Sequence, residues 1–409
     1  MRKILLLFIP VFIYAQSLKS LIEYAHSNNE LVSSQQLLQA SKQKELDAKE
    51  SDYYPTVDVG AFYQNLNERT TGLAGDTYSG YAKVGFDIYD GGRKSALVGQ
   101  KVAEHKASSY DVADTKSGLS LEIMQDFFNI KSLESSLIAR EEAQKSLKVQ
   151  LDRMNAFYDA SLATKDDVDR LQAEFDTNIY EMESVKLQTL TLKLDLSLKV
   201  GQEITHLSRS TFKESIGDGF ESIDSIKSLE YSKKSIQELS ESIDSAYNPQ
   251  IRIEDTYSIY DYGNTDLRHP EGVDAQNKIL VSANIRLYDN ASISNAKQAI
   301  AIQSQSIAKQ LEYKTKEQEM FHKLAIKRIE INKVKIKSAE SALKSAKSAF
   351  HTIDQKYTAG IVDNVVYLDA LVAKTNAMSL YETSRNDLQI AYGMYYYYAG
   401  KNIEEFINE

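Results

Sequence analysis

Proline sets the limits of what this chain can fold into. Pro10 lies near the start, and Pro55, Pro249 and Pro270 are the remaining three, so Thr56 to Asn248 and Glu271 to Glu409 contain none. A proline inside a helix costs about 3 kcal/mol, and stretches this clean permit very long helices. From Gly92 to Tyr158 the chain is rich in Ala, Ser, Lys, Glu, Gln and Leu, with apolar residues at Ile123, Phe127, Ile130, Leu133, Leu137, Leu147, Leu151, Met154 and Tyr158. Steps of three and four, or their sums, mark one face of a helix roughly 100 Å long. Ordinary globular domains do not hold such rods. A second helix is expected over Asp166–Val200, with Val168, Leu171, Phe175, Ile179, Met182, Leu187, Leu190 and Leu194 on its stripe. Further helices are expected over Leu18–Asp52, Ser222–Ala246, Ser292–Lys356 and Val365–Tyr398. The stripes are narrow and the opposite faces polar, which is coiled-coil patterning.

Two regions break the helical period. After Pro55, TVDVGAFYQN and GYAKVGFDIYD alternate with period two around a loop rich in Gly and Thr. After Pro249, Ile251 and Ile253 alternate with Arg252 and Glu254, and Ile279, Val281, Ala283, Ile285 and Leu287 alternate with Leu280, Ser282, Asn284 and Arg286. Both regions read as hairpins with long loops.

The hairpins belong to an internal duplication. Tyr89-Asp90 matches Tyr288-Asp289, and YDASL from Tyr158 matches YTAGI from Tyr357, each pair 199 residues apart. Pro55 and Pro249 are only 194 apart, so the second hairpin is five residues longer. Length is held in the helix and relaxed in the loop, as expected where rods stay in register and loop tips are free.

The first fifteen residues read as an export signal. Arg2 and Lys3 precede the apolar run Ile4 to Ile13, and Ala15 offers a small residue for cleavage before Gln16. That run is shorter than the ~20 residues a spanning helix needs. With no Cys there is no disulfide, thiolate metal site or lipoprotein anchor. A net charge of −10 without a clustered basic face argues against a nucleic-acid partner. The six histidines, His26, His105, His206, His269, His322 and His351, lack ligand spacing, so neither an enzyme nor a cofactor is expected.

Four amphipathic strands cannot close a membrane barrel alone, since single-chain barrels begin at about eight. Open edges in lipid leave backbone groups unpaired at several kcal/mol each. Several copies are therefore expected to complete the sheet. The alternative, an exported coiled-coil structural protein or adhesin with no conduit, predicts one unbroken heptad seam and no hairpins.

The export signal, the paired strand, long helix, turn and helix repeats, the proline before each first strand, Tyr89-Asp90-Gly91-Gly92 and Tyr357 to Ile361 together resemble the TolC-type outer-membrane efflux and secretion family. No single motif is specific; the ordered set is. The resemblance implies a mainly α fold with a small β part: long antiparallel coiled-coil helices forming a tube, and four strands per chain given to a trimeric twelve-stranded β-barrel. It implies a first repeat over 16–205 (hairpin 55–90, tip 158–168), an equatorial linker at 206–221, a second repeat over 222–400 (hairpin 249–289, tip 357–368) and a tail at 401–409. It implies a homotrimer in outer-membrane lipid with its helices in the periplasm. The tube would be a passive exit duct, opened at its tips by a periplasmic adaptor and an inner-membrane pump, for efflux or type I secretion.

Family members close that entrance with a Tyr at the start of the second tip and acidic residues after it. Tyr357 and Asp369 match that pattern, while Val362 and Val366 stand where an Arg and a second acid are usual. Asp363 lies nearby, and Asp167 and Tyr158 occupy corresponding places in the first repeat. Tyr63, Tyr78, Tyr81, Tyr89, Tyr257 and Tyr288 fall at or near strand ends and are candidates for membrane-interface girdles, although Tyr also has good strand propensity.

Overall fold

The computed structural model describes residues 16–67, 74–217, 219–263 and 272–408. The export signal and most of both hairpin loops lie outside the described residues.

The helix expected from Leu18 to Asp52 is two helices, α1 (Leu18–Asn28) and α2 (Glu30–Ser51). Asn29 divides them with φ −72° and ψ 134°. Its side chain explains the break: Oδ1 accepts from the N–H of Leu31 (2.8 Å) and Val32 (3.3 Å), while Nδ2 donates to the Lys199 carbonyl (2.8 Å). That is an N-cap, which needs non-helical backbone.

The order then runs β1 (Thr56–Asn65), β2 (Asp76–Tyr89), α3 (Arg93–Asp159), α4 (Lys165–Val200), β3 (Thr211–Phe212) and α5 (Asp224–Asp244). It continues with β4 (Gln250–Gly263), β5 (Ala275–Asn284), α6 (Ser292–Thr358), α7 (Asn364–Tyr398) and β6 (Ile407–Asn408). Helices α3 and α6 are each 67 residues long. Both begin after two consecutive residues with positive φ: Gly91 (77°) and Gly92 (93°) before α3, Asn290 (56°) and Ala291 (64°) before α6. Asp90 accepts from the Lys94 N–H at 2.7 Å, and Asp289 accepts from the Ile293 N–H at 2.7 Å. The Tyr-Asp match thus marks one strand-to-helix exit used twice.

Strand β5 stops earlier than the alternation suggests. Its last residue, Asn284, pairs with Gln250, the first residue of β4. A 3-10 turn (Ser245–Tyr247) and Pro249, which has no N–H to donate, precede Gln250. Ile285, Leu287 and Tyr288 therefore have no ladder to join and are exposed.

The chain packs as two compact units, each drawing on both halves of the sequence: residues 36–111 with 225–313, and residues up to 35 with 112–224 and 314 onward. The first unit holds the antiparallel four-stranded sheet, ordered β1-β2-β4-β5, in which β2–β4 pairing joins the two hairpins. Within the second unit, one core gathers Leu18, Ile22, Ile123, Phe127, Phe128, Leu196, Phe212, Tyr392, Tyr395 and Tyr396, and the short β3–β6 ladder lies beside it. The Tyr395–Tyr398 run ends α7 in this core, where the Tyr396 hydroxyl donates to the Lys213 carbonyl (2.6 Å) and the Tyr395 hydroxyl to that of Gly217 (2.7 Å). A second core, in the same unit, lies where α3, α4, α6 and α7 turn.

Candidate functional site

The two helical turns are built alike. After α3, Leu162 N–H donates to the Phe157 carbonyl (2.8 Å) and Ser161 takes φ 59°; after α6, Ile361 N–H donates to the Lys356 carbonyl (2.8 Å) and Gly360 takes φ 71°. These are helix C-caps that need one left-handed residue, which explains the small residue, Ser161 or Gly360, just before the apolar residue of each turn. Each following helix has an N-cap. Thr164 and Asp167 form a capping box for α4, and the Asp363 carboxylate accepts from the Val366 N–H (3.0 Å) at the start of α7.

The candidate residues separate on this frame. Tyr357 is only 8% exposed and stacks on Tyr367, with ring centroids 4.7 Å apart and 25° between planes. Tyr367 is itself 1% exposed and lies 5.7 Å from the Phe350 ring. The Arg153 guanidinium sits 5.8 Å from the Tyr357 ring and donates to the Thr358 carbonyl (3.3 Å). Burial raises the Tyr357 hydroxyl pKa and pushes that of Tyr367 up to about 12. Asp167 is held below the usual carboxylate range by hydrogen bonds from the Thr164 hydroxyl and N–H. Asp369 and Tyr158 are exposed. Val362 packs against the turn core, and Val366 is exposed.

Three residues that the sequence reading did not single out hold the turns together. Asn364, nearly buried, donates from Nδ2 to the Asp167 carbonyl (3.2 Å), joining the two turns of the chain. Arg153 and Tyr367 complete the packing around Tyr357. The available signal was positional: Asn364 follows a capping aspartate, and Tyr367 shares a helix face with Leu371.

The sheet has two unlike faces. Directly paired residues share a face, so Val57, Val59, Ala61 and Tyr63 of β1 line up with Val84, Ala82, Gly80 and Tyr78 of β2. The same face continues through Phe86, Ile253, Tyr257, Ile259, Ile279 and Val281, interrupted by Asp255, Asp261 and Asn277. The other face carries Asp58, Lys83, Asp87, Arg252, Glu254, Ser258, Gln276 and Lys278, interrupted by Phe62, Tyr81, Tyr260 and Leu280. Tyr63 and Tyr78 stack at 4.9 Å near the loop end of the apolar face, and the Tyr63 hydroxyl donates to Asp76 (2.9 Å). Tyr89 rejoins this face at the helix end, after a register shift from Asp87, and Tyr257 lies midway. Tyr81 is on the polar face, and Tyr288 lies outside the sheet.

Among the described residues no helix is long and apolar enough to cross a membrane, and no cluster of His, Asp and Glu could hold a metal ion. Residues 21–202 match the outer membrane efflux protein family model. No curated protein sequence matches the chain. Solved structures do match across nearly its whole length. The CmeC outer membrane channel of Campylobacter jejuni is 14% identical with a TM-score of 0.84, over 95% of this chain and 86% of that one. The outer membrane protein VceC of Vibrio cholerae is 13% identical with a TM-score of 0.83, over 94% and 96%. A Pseudomonas aeruginosa membrane protein is 15% identical with a TM-score of 0.83, over 95% and 91%.

The four-stranded sheet with one apolar face and the paired 67-residue helices thus give this chain the fold seen in the CmeC and VceC structures. Over residues 21–202 the sequence is also similar to the outer membrane efflux protein family.

Proposed function

We propose that three copies join β5 of one chain to β1 of the next, closing a twelve-stranded barrel in the outer membrane above a helical periplasmic duct. The observation that carries this reading is the sheet itself: one largely apolar face, one more polar face, and outer edges on β1 and β5 with no partner strand among the described residues. Lipid tolerates such a sheet only when it is closed, with the polar face inward. Tyr89 and the Tyr63–Tyr78 pair then bracket the apolar band. The eleven steps from Tyr78 to Tyr89 span roughly 36 Å along a strand, or about 25 Å of membrane at a tilt near 45°.

The helices support the same assembly. Tyr180, Leu187, Leu190, Leu194 and Leu198 of α4 are exposed and fall within one narrow arc, as do Met320, Leu324, Ile331 and Val334 of α6. Contacts of Asn178 with the Arg140 carbonyl (3.1 Å) and of Arg153 with Thr358 (3.3 Å) set the level of α4 and α6 relative to α3, and at that level Leu190, Leu194 and Leu198 stand beside Leu324, Ile331 and Val334. A neighbouring copy would bury both. Compounds or proteins delivered by an inner-membrane pump would leave through this duct, and adaptor docking would part the turns around Tyr357 and Asn364. Exposed Asp369, repeated three times about the axis, would attract cations at the entrance. Cross-linking in detergent should stop at three chains and purified protein should conduct in planar bilayers; a monomer that inserts without conducting would sink this reading.

A further inference from the structure

On the polar face, two large side chains lie on glycines. Gly60 pairs directly with Tyr81, and a Cβ at Gly60 would stand 2.5 Å from the Tyr81 hydroxyl oxygen and 2.6 Å from the ring carbon that bears it. A Cβ at Gly85 would strike the Arg252 guanidinium, which reaches across from β4. Strand side chains ordinarily stand off the sheet. Here the missing side chains of Gly60 and Gly85 let Tyr81 and Arg252 lie down along it. Arg252 is also held electrically: Nη1 meets Asp87 at 2.7 Å and Nε meets Glu254 at 3.0 Å. Asp87 takes Lys94 as well (3.0 Å), and Glu254 approaches Lys83 (3.7 Å).

We infer that Gly60 and Gly85 set the bore of the exit: they keep Tyr81 and Arg252 flat on its wall, and Arg252 is a charge that the passage meets only in its paired, lowered position. This rests on the reading that the polar face lines the duct, where three copies would repeat each feature. A Cβ at Gly85 would lift the guanidinium away from Asp87 and Glu254, narrowing the bore and turning its potential positive. A Cβ at Gly60 would raise the Tyr81 ring, which narrows the bore without changing its charge.

The chain has no cysteine, so a single reporter thiol tests this in the assembled protein in its membrane. Thr256→Cys places that thiol on the polar face opposite Lys83, and its reaction rates with an anionic and a cationic methanethiosulfonate of similar size are compared. Gly85→Ala is expected to raise the anionic-to-cationic rate ratio several-fold, and to leave it unchanged when Arg252→Gln is also present. Gly60→Ala should slow both reagents alike. An unchanged ratio in Gly85→Ala, or a change that persists without Arg252, overturns the inference. Should Gly85→Ala fail to reach the membrane, Arg252→Gln still decides, since it adds no atoms: the ratio falls if the guanidinium lines the bore, and a constant ratio refutes the assignment. Reaction from water at Asp255→Cys but not at Thr256→Cys would exchange the two faces and overturn the channel reading itself.

Discussion

Asn364 Nδ2 donates to the Asp167 carbonyl at 3.2 Å, joining the α6–α7 turn to the α3–α4 turn across 197 residues of sequence. Both residues are at helix starts: Asp167 completes the cap of α4, and Asn364 is the first residue of α7. A change at one turn is therefore felt at the other through this hydrogen bond and through Arg153 of α3, which donates to the Thr358 carbonyl at the end of α6.

Asn364→Ala should loosen both turns by about 1 kcal/mol, the net worth of one such bond. Hydrogen exchange should quicken at residues 159–165 and 358–364 together. Faster exchange at only one turn would show that they are not coupled. In planar bilayers the same variant should raise open probability.

Asp167 has a depressed carboxylate pKa because Thr164 donates to it. Its cap is therefore at full strength above the unfolded value near pH 4 and fades as pH falls through the lower folded value. Asp167→Asn should cost about 1 kcal/mol of local stability at neutral pH and much less at pH 3, as read by exchange in the first turn of α4.

His322 lies near the Phe220 ring (5.1 Å) and the Tyr395 ring (5.5 Å), and its buried Nε2 has no hydrogen-bond partner among the described residues. Burial, and then the Lys401 charge, lower its pKa. The neutral ring is the folded form, so this contribution is complete above about pH 6.5 and is lost as pH falls through the folded value. Melting temperature should drop on acidification from pH 7.5 to pH 5.5, and His322→Phe should flatten that part of the profile.

Leu190→Glu is expected to leave the chain folded and to break the assembly. Leu190 is exposed on α4, so the chain alone loses little, whereas a seam against α6 of a neighbour would have to bury an unpaired charge. Cross-linked trimers should disappear while helical circular dichroism remains. Intact trimers would move the neighbour contact elsewhere.

Ala291 adopts φ 64° at the position matching Gly92. Ala291→Gly should stabilise and Gly92→Ala should destabilise, each by about 1 kcal/mol, because only glycine takes left-handed backbone without cost. Thermal unfolding of the two variants in opposite directions would confirm that both exits share one geometry.

Much of this was legible in the residues. Proline-free runs and the 199-residue offset marked α3 and α6, because propensity and period accumulate over many turns. Asn29 and Asn284 were harder: one breaks a helix through its own side-chain cap, and the other ends a strand only because its partner begins at Gln250. The apolar stripe of α4 misled differently. Leu187, Leu190 and Leu194 point outward, while Leu171, Leu196 and Val200 are buried, so α4 has two apolar faces and one period could not say which stays inside the chain.

The sequence by itself determined the elements: local propensity, capping and alternation act between near neighbours and are written residue by residue. Only the tertiary structure decided which residues meet. Tyr357 on Tyr367, Asn364 on Asp167, and Tyr81 and Arg252 lying on glycines depend on strand register and on the level of one helix against another. Those are set by packing between separate elements, up to 197 residues apart in the chain, where no local preference reaches.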